Sequence, residues 1–137
     1  MSQPMIAIVD DNEPFRLAAA GFIRSLGYAV LHFASADAFL ESNRLYDTDC
    51  LISDVQMPGK NGIELQGELI AQGYHFPIIF VTAFPEMKAR AQALASGAIG
   101  FLAKPFNDET LITCLNKALG QGSEMVPTKF LSLVIYK

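Results

Sequence analysis

The chain has 137 residues, a formal net charge of −4 and an apolar fraction of 51%. That is the size of one domain with a sizeable core. The Lys and Arg residues are scattered, which excludes a nucleic-acid footprint, and no apolar run is long enough to span a membrane. Met1-Ser2-Gln3-Pro4 has neither a positive charge nor an apolar signal segment, so the cytoplasm is the expected location. Cys50 and Cys114 are expected to be reduced and buried, because no second thiol or His lies at metal-ligand spacing.

Met5–Val9 is an unbroken apolar run ending in Asp10-Asp11, the pattern of a parallel strand buried on both faces. Asn12 is placed to cap a helix, with Glu13 and Pro14 in its first turn. Phe15, Ala18, Ala19, Phe22, Ile23 and Leu26 recur at helical spacing until Gly27. A second strand is predicted over 28–33, then a short helix from the cap Ser35 to about Ser42. A third strand over 50–53 ends at Asp54. Pro58-Gly59-Lys60-Asn61-Gly62 is turn chemistry, and a helix follows over 63–72, ended by Gly73. A fourth strand over 77–81 finishes at Thr82 and leads to an alanine-rich helix over 85–96, closed by Gly97. A short strand over 100–103 precedes Lys104-Pro105, and Asn107 caps a last helix to about Leu119.

Strand followed by helix, five times, predicts an α/β fold: a parallel sheet with helices on both faces. Such sheets carry their sites at the carboxyl ends of the strands. Asp10, Asp11, Asp54, Thr82 and Lys104 all fall there. Taken singly, each has an ordinary reading; a strand-end Asp is usually a helix cap or a solvated turn residue. Their convergence on one edge is the unusual feature, because clustered charge is costly without a use.

The carboxylates of Asp10, Asp11 and Asp54 are hard oxygen ligands, in the right number for Mg²⁺, which keeps waters at its remaining positions. Three neighbouring acids should also raise at least one pKa. Asp54 stands alone at its strand end and is the better nucleophile, able to attack phosphorus and form an aspartyl phosphate. Lys104 would supply positive charge and Thr82 a hydroxyl donor to the phosphoryl oxygens.

These residues resemble the receiver domain of two-component response regulators over about residues 4–120. The matching motifs are Asp10-Asp11, Asp54-Val55-Gln56-Met57-Pro58 with Gly62, Thr82-Ala83 and Lys104-Pro105. Gly97-Ala98 and Phe101-Leu102-Ala103-Lys104-Pro105-Phe106 look most like receivers of the nitrogen-fixation and LuxR-type regulators. The resemblance implies a single CheY-like, flavodoxin-like domain over 1–120, doubly wound, with five strands in the order 2-1-3-4-5 and five helices. It implies that Asp54 takes phosphate from a histidine kinase or phosphotransfer protein. Mg²⁺ would be held by Asp11, Asp54 and the backbone carbonyl of Gln56, with Asp10 acting through water. Lys104 would pair with the phosphoryl group and Thr82 would swing toward it. Phe101 matches an aromatic switch position, and Lys104-Pro105 matches a cis peptide. Gln56 and Phe84 match positions that flank the phosphoryl group, where a large apolar Phe84 would shield it from water. The output surface would be the face of the fourth helix, fifth strand and fifth helix, with Lys88, Arg90, Gln92 and Asn116 as exposed candidates and homodimerisation as one use of it.

The receiver so implied is a phosphoacceptor signalling domain and not an enzyme. A Mg²⁺-dependent aspartyl-phosphate phosphatase is the alternative from another class, but it wants two acids two residues apart after the first strand, whereas Asp10-Asp11-Asn12-Glu13 fails that spacing. A flavin carrier of the same topology needs a phosphate-binding loop where this chain has acids. A degenerate receiver that only binds partners is the third option, and the complete set of acids, Thr82 and Lys104 speaks against it. His32 and His75 are expected away from the charged edge, so the phosphodonor histidine belongs to another protein. Residues 121–137 read as a linker, Gly120-Gln121-Gly122-Ser123, and an apolar tail that includes Phe130-Leu131-Ser132-Leu133-Val134-Ile135-Tyr136. No DNA-binding motif follows the receiver, and a stand-alone protein is the simpler expectation, with a piece of a longer regulator as the alternative.

Overall fold

The computed structural model describes residues 3–120. The expected linker and apolar tail over 121–137 lie outside the described residues. In chain order the elements are β1 (Met5–Val9), α1 (Glu13–Ser25), β2 (Ala29–Phe33), α2 (Ala36–Leu40), β3 (Cys50–Asp54), α3 (Gly62–Ala71), β4 (Ile78–Thr82), α4 (Met87–Ala95), β5 (Gly100–Ala103) and α5 (Asp108–Ala118). All strand pairs are parallel, and the sheet order is β2-β1-β3-β4-β5.

The unbroken apolar strands are explained by two cores. On one face, Ala7, Val9, Leu51 and Phe80 pack with Phe39, Leu65, Leu69 and Ala93 from α2, α3 and α4. On the other, Ile6, Ile8, Ile52, Ile79 and Val81 pack with Ala20, Ile23, Leu111 and Leu115 from α1 and α5. Successive strand residues point to opposite faces, so burial on both leaves no polar alternation to read.

Local chemistry sets the helix starts. The Asn12, Ser35 and Asn107 side chains accept from the backbone N–H groups of Phe15, Ala38 and Thr110 at 2.9, 3.0 and 2.9 Å. Asn61 and Glu64 form a reciprocal capping box at α3, which the Asn-x-x-Glu spacing could have revealed. The fourth helix begins later than its sequence suggests, since Pro85 and Glu86 stay in the loop and no side chain caps it. A short 3₁₀ turn over Leu45–Asp47 carries no periodicity and was not expected; Arg44 pairs with Asp47 across it. Buried Gln66 ties α3 to α4 by donating from Nε2 to the Ala93 carbonyl at 3.1 Å.

Two backbone features position the edge of interest. The Lys104–Pro105 peptide bond is cis. Gly62 donates its N–H to the Val55 carbonyl at 2.8 Å, which seats the start of α3 against the end of β3. A Cβ at Gly62 would lie 2.2 Å from the Asp54 carbonyl oxygen, so only glycine permits this approach.

Candidate functional site

Register carries the strand ends to one edge. Asp54 pairs with Val81, and Thr82 pairs with Ala103, one residue before Lys104. Asp10 follows β1 directly, its N–H donating to the Phe33 carbonyl at 3.1 Å. One carboxylate oxygen from each of Asp10, Asp11 and Asp54 lies within 4.8 Å of the others, a cluster able to chelate a metal ion. Asp10 is fully buried, Asp54 is 7% exposed, and Asp11 is open to solvent.

Lys104 closes the cluster. Its Nζ is 2.8 Å from Asp10 Oδ2 and 3.8 Å from Asp54 Oδ2. The other Asp10 oxygen accepts the Asn12 N–H at 2.9 Å, so this buried carboxylate is fully engaged. Asp54 is less well served. Burial first, and then the charge of Asp10, push its carboxyl up to about 6, against the downward pull of Lys104 and of the Gln56 and Val55 N–H groups. The expectation that crowding raises one acid's pKa is met at Asp54, with desolvation as the larger cause.

Thr82 is buried, and its Oγ1 accepts the Phe84 N–H at 3.1 Å. The Phe84 ring is 66% exposed and the Gln56 side chain is also exposed. Phe101 is half-buried, 6.3 Å from the Phe80 ring, and packs on the α3–α4 core. On α4, Lys88, Arg90 and Gln92 are exposed as expected. Asn116 is not: it is half-buried on α5, between the buried Leu115 and the exposed Lys117.

Sequence reasoning passed over two residues beside the acids. Phe15 lies beneath Lys104, with Nζ 4.0 Å from its ring centroid. Arg16 donates to the Asp10 carbonyl at 2.9 Å and to His32 Nδ1 at 3.2 Å. His32 is therefore linked to the acidic edge through Arg16, closer than its strand position suggested. His75 is an exposed loop residue. In the sequence Phe15 is a helix-face apolar residue, and no local pattern marks it as a partner of the distant Lys104.

Residues 6–116 match the family described as the response regulator receiver domain. The chain is a receiver domain. It is 36% identical over 119 residues to the transcriptional regulatory protein FixJ of Azorhizobium caulinodans, covering 87% of this chain and 56% of that protein. It is 37% identical over 117 residues to the response regulator protein TmoT of Ectopseudomonas mendocina, covering 85% of this chain and 53% of that one. Among solved structures, a receiver protein from Burkholderia phymatum superposes with a TM-score of 0.75 at 41% identity, covering 86% of this chain and 96% of that one. The structure named FixJ-N gives 0.78 at 32%, covering 88% and 96%. The chain spans about half the length of the curated relatives it matches. Membership places it with the receiver domains of two-component phosphorelays, a signalling family. Among the described residues, no helix is long and apolar enough to cross a membrane.

Proposed function

We propose that Asp54 of this receiver accepts a phosphoryl group from a phosphohistidine on a partner kinase or phosphotransfer protein. An Asp54 oxygen attacks phosphorus, the P–N bond breaks, its electron pair leaves with the imidazole, and an acyl phosphate forms. The observation that carries this reading is the placement of the Lys104 ammonium, 2.8 Å from Asp10 and 3.8 Å from Asp54, beside clustered carboxylates.

The cluster's all-oxygen donors suit Mg²⁺, and an exposed Asp11 leaves room for its waters. Asp11, Asp54 and the Gln56 carbonyl would hold it directly and Asp10 through water. When bound, the metal neutralises charge on the phosphoryl oxygens. Lys104 pairs with one of those oxygens. Thr82 turns its hydroxyl proton to another, leaving the Phe84 N–H that it now accepts. Phe101 then repacks, and the α4–β5–α5 face changes as the output surface. Homodimerisation in the phosphorylated state is one use of that face, and direct binding of a target is the other. Phe84 and Gln56 flank the phosphoryl group; closure of the Phe84 ring lengthens its life, and F84A should then lose phosphate faster than wild type.

The test is phosphorylation by phosphoramidate with Mg²⁺, read by intact mass and peptide mapping. One base-labile phosphoryl group on Asp54, absent from D54N, is expected. Modification elsewhere, or none, would overturn the assignment.

A further inference from the structure

Phe15 is a first-turn residue of α1 whose ring lies under the Lys104 ammonium. We infer that Phe15 is a positioning residue for phosphoryl transfer, its ring face holding the Lys104 ammonium at the acidic edge. The inference rests on the reading of Lys104 as a phosphoryl partner.

Lysine is a point charge on a flexible stem, and nothing intrinsic to it fixes where Nζ stands. Here three contacts do. Asp10 Oδ2 takes one N–H at 2.8 Å, Asp54 Oδ2 lies 3.8 Å away, and the Phe15 centroid is 4.0 Å away. The negative face of an aromatic ring attracts a cation, more strongly when water is largely excluded. The Lys104 side chain is only 15% exposed. The two carboxylates alone would draw the ammonium toward the better-buried Asp10. In the structure the ammonium does contact Asp10, and the ring adds a third attraction that holds it in this position beside Asp54.

The ring itself is anchored twice. Its backbone N–H donates to the Asn12 side chain at 2.9 Å, which fixes the first turn of α1. Phe106, two residues beyond Lys104, meets the ring edge-on with centroids 6.2 Å apart and planes at 77°. Phe15 thus joins the start of α1 to the loop after β5, and the lysine sits at that joint.

A filler role depends on ring volume, whereas a cation–π role depends on ring electrons. Replacing Phe15 in the full chain by mono-, di- and trifluorophenylalanine nearly preserves volume while weakening the ring's negative face. We expect the rate of Asp54 phosphorylation by phosphoramidate to fall stepwise, by roughly three- to tenfold for the trifluoro ring. F15W should retain the wild-type rate, and F15L should match the trifluoro chain. A rate flat across the fluorinated series overturns the proposal, even if F15L fails to fold. Wild-type phosphorylation with a flat series sinks the Phe15 role and leaves the acceptor reading intact. A wild-type chain that takes no phosphoryl group on Asp54 overturns both.

Discussion

The Lys104 ammonium is 2.8 Å from Asp10 and 3.8 Å from Asp54, so the lysine's nearer partner is not the proposed phosphoacceptor. Asp10 is fully buried, and among the described residues Lys104 is the cation paired with its carboxylate. Removing the cation strands a buried charge, which costs more than the pair contributes. K104A should therefore lower stability by about 2–4 kcal/mol in chelator, seen as a lower urea midpoint. It should also slow phosphorylation of Asp54. An unchanged midpoint would mean that Asp10 is protonated or solvated in the K104A chain.

Asp54 gives a pH dependence of definite sign. Its folded carboxyl is pushed up to about 6, from an ordinary value of 3.8. Below about pH 4 the group is protonated both folded and unfolded, and its contribution is fully present. As pH rises toward 6, the unfolded chain releases the proton first, so stability is lost across that window. Metal-free wild type should thus lose stability relative to D54N between about pH 4 and 6, on the order of 1–2 kcal/mol once solvent screening at the mouth of the site is allowed for, by chemical denaturation in chelator. A constant difference between the two proteins would contradict the raised pKa.

Gly62 and Gly67 both lie in α3, yet their replacement should act in opposite directions. A Cβ at Gly62 meets the Asp54 carbonyl oxygen at 2.2 Å, whereas one at Gly67 meets nothing within 4 Å. G62A must push α3 away from the end of β3, at a cost of roughly 2–4 kcal/mol, and should displace Asp54. G67A should stabilise by about 0.5–1 kcal/mol through helix propensity. Thermal unfolding of both variants, with amide shifts at 54–57 for G62A, checks the contrast.

The output face has an equally direct test. Sedimentation with Mg²⁺ and beryllofluoride, which mimics the phosphoryl group, should shift the protein from monomer to dimer. R90E, on the exposed side of α4, should weaken that dimer while leaving mimic binding intact. A monomer in both states, with mimic binding confirmed, would point to a relay or a protein that binds its target directly.

The sequence by itself determined the α/β class, the five strand–helix units, the caps at Asn12, Ser35 and Asn107, and the set of acids with Thr82 and Lys104 at strand ends. Each is written in local pattern: apolar runs, helical spacing, or a side chain three residues from the N–H it receives. Tertiary structure decided how those groups interact. Which carboxylate Lys104 reaches first, that burial outweighs Asp10 in raising Asp54, and that His32 is tied to Asp10 through Arg16 depend on distances between distant segments. Asn116 is half-buried for the same reason, because spacing along α5 does not say how far its neighbours cover it. Phe15 shows the division within one residue. Its place on a buried helix face follows from period, but its contact with Lys104 exists only once the fold brings the start of α1 to the loop after β5.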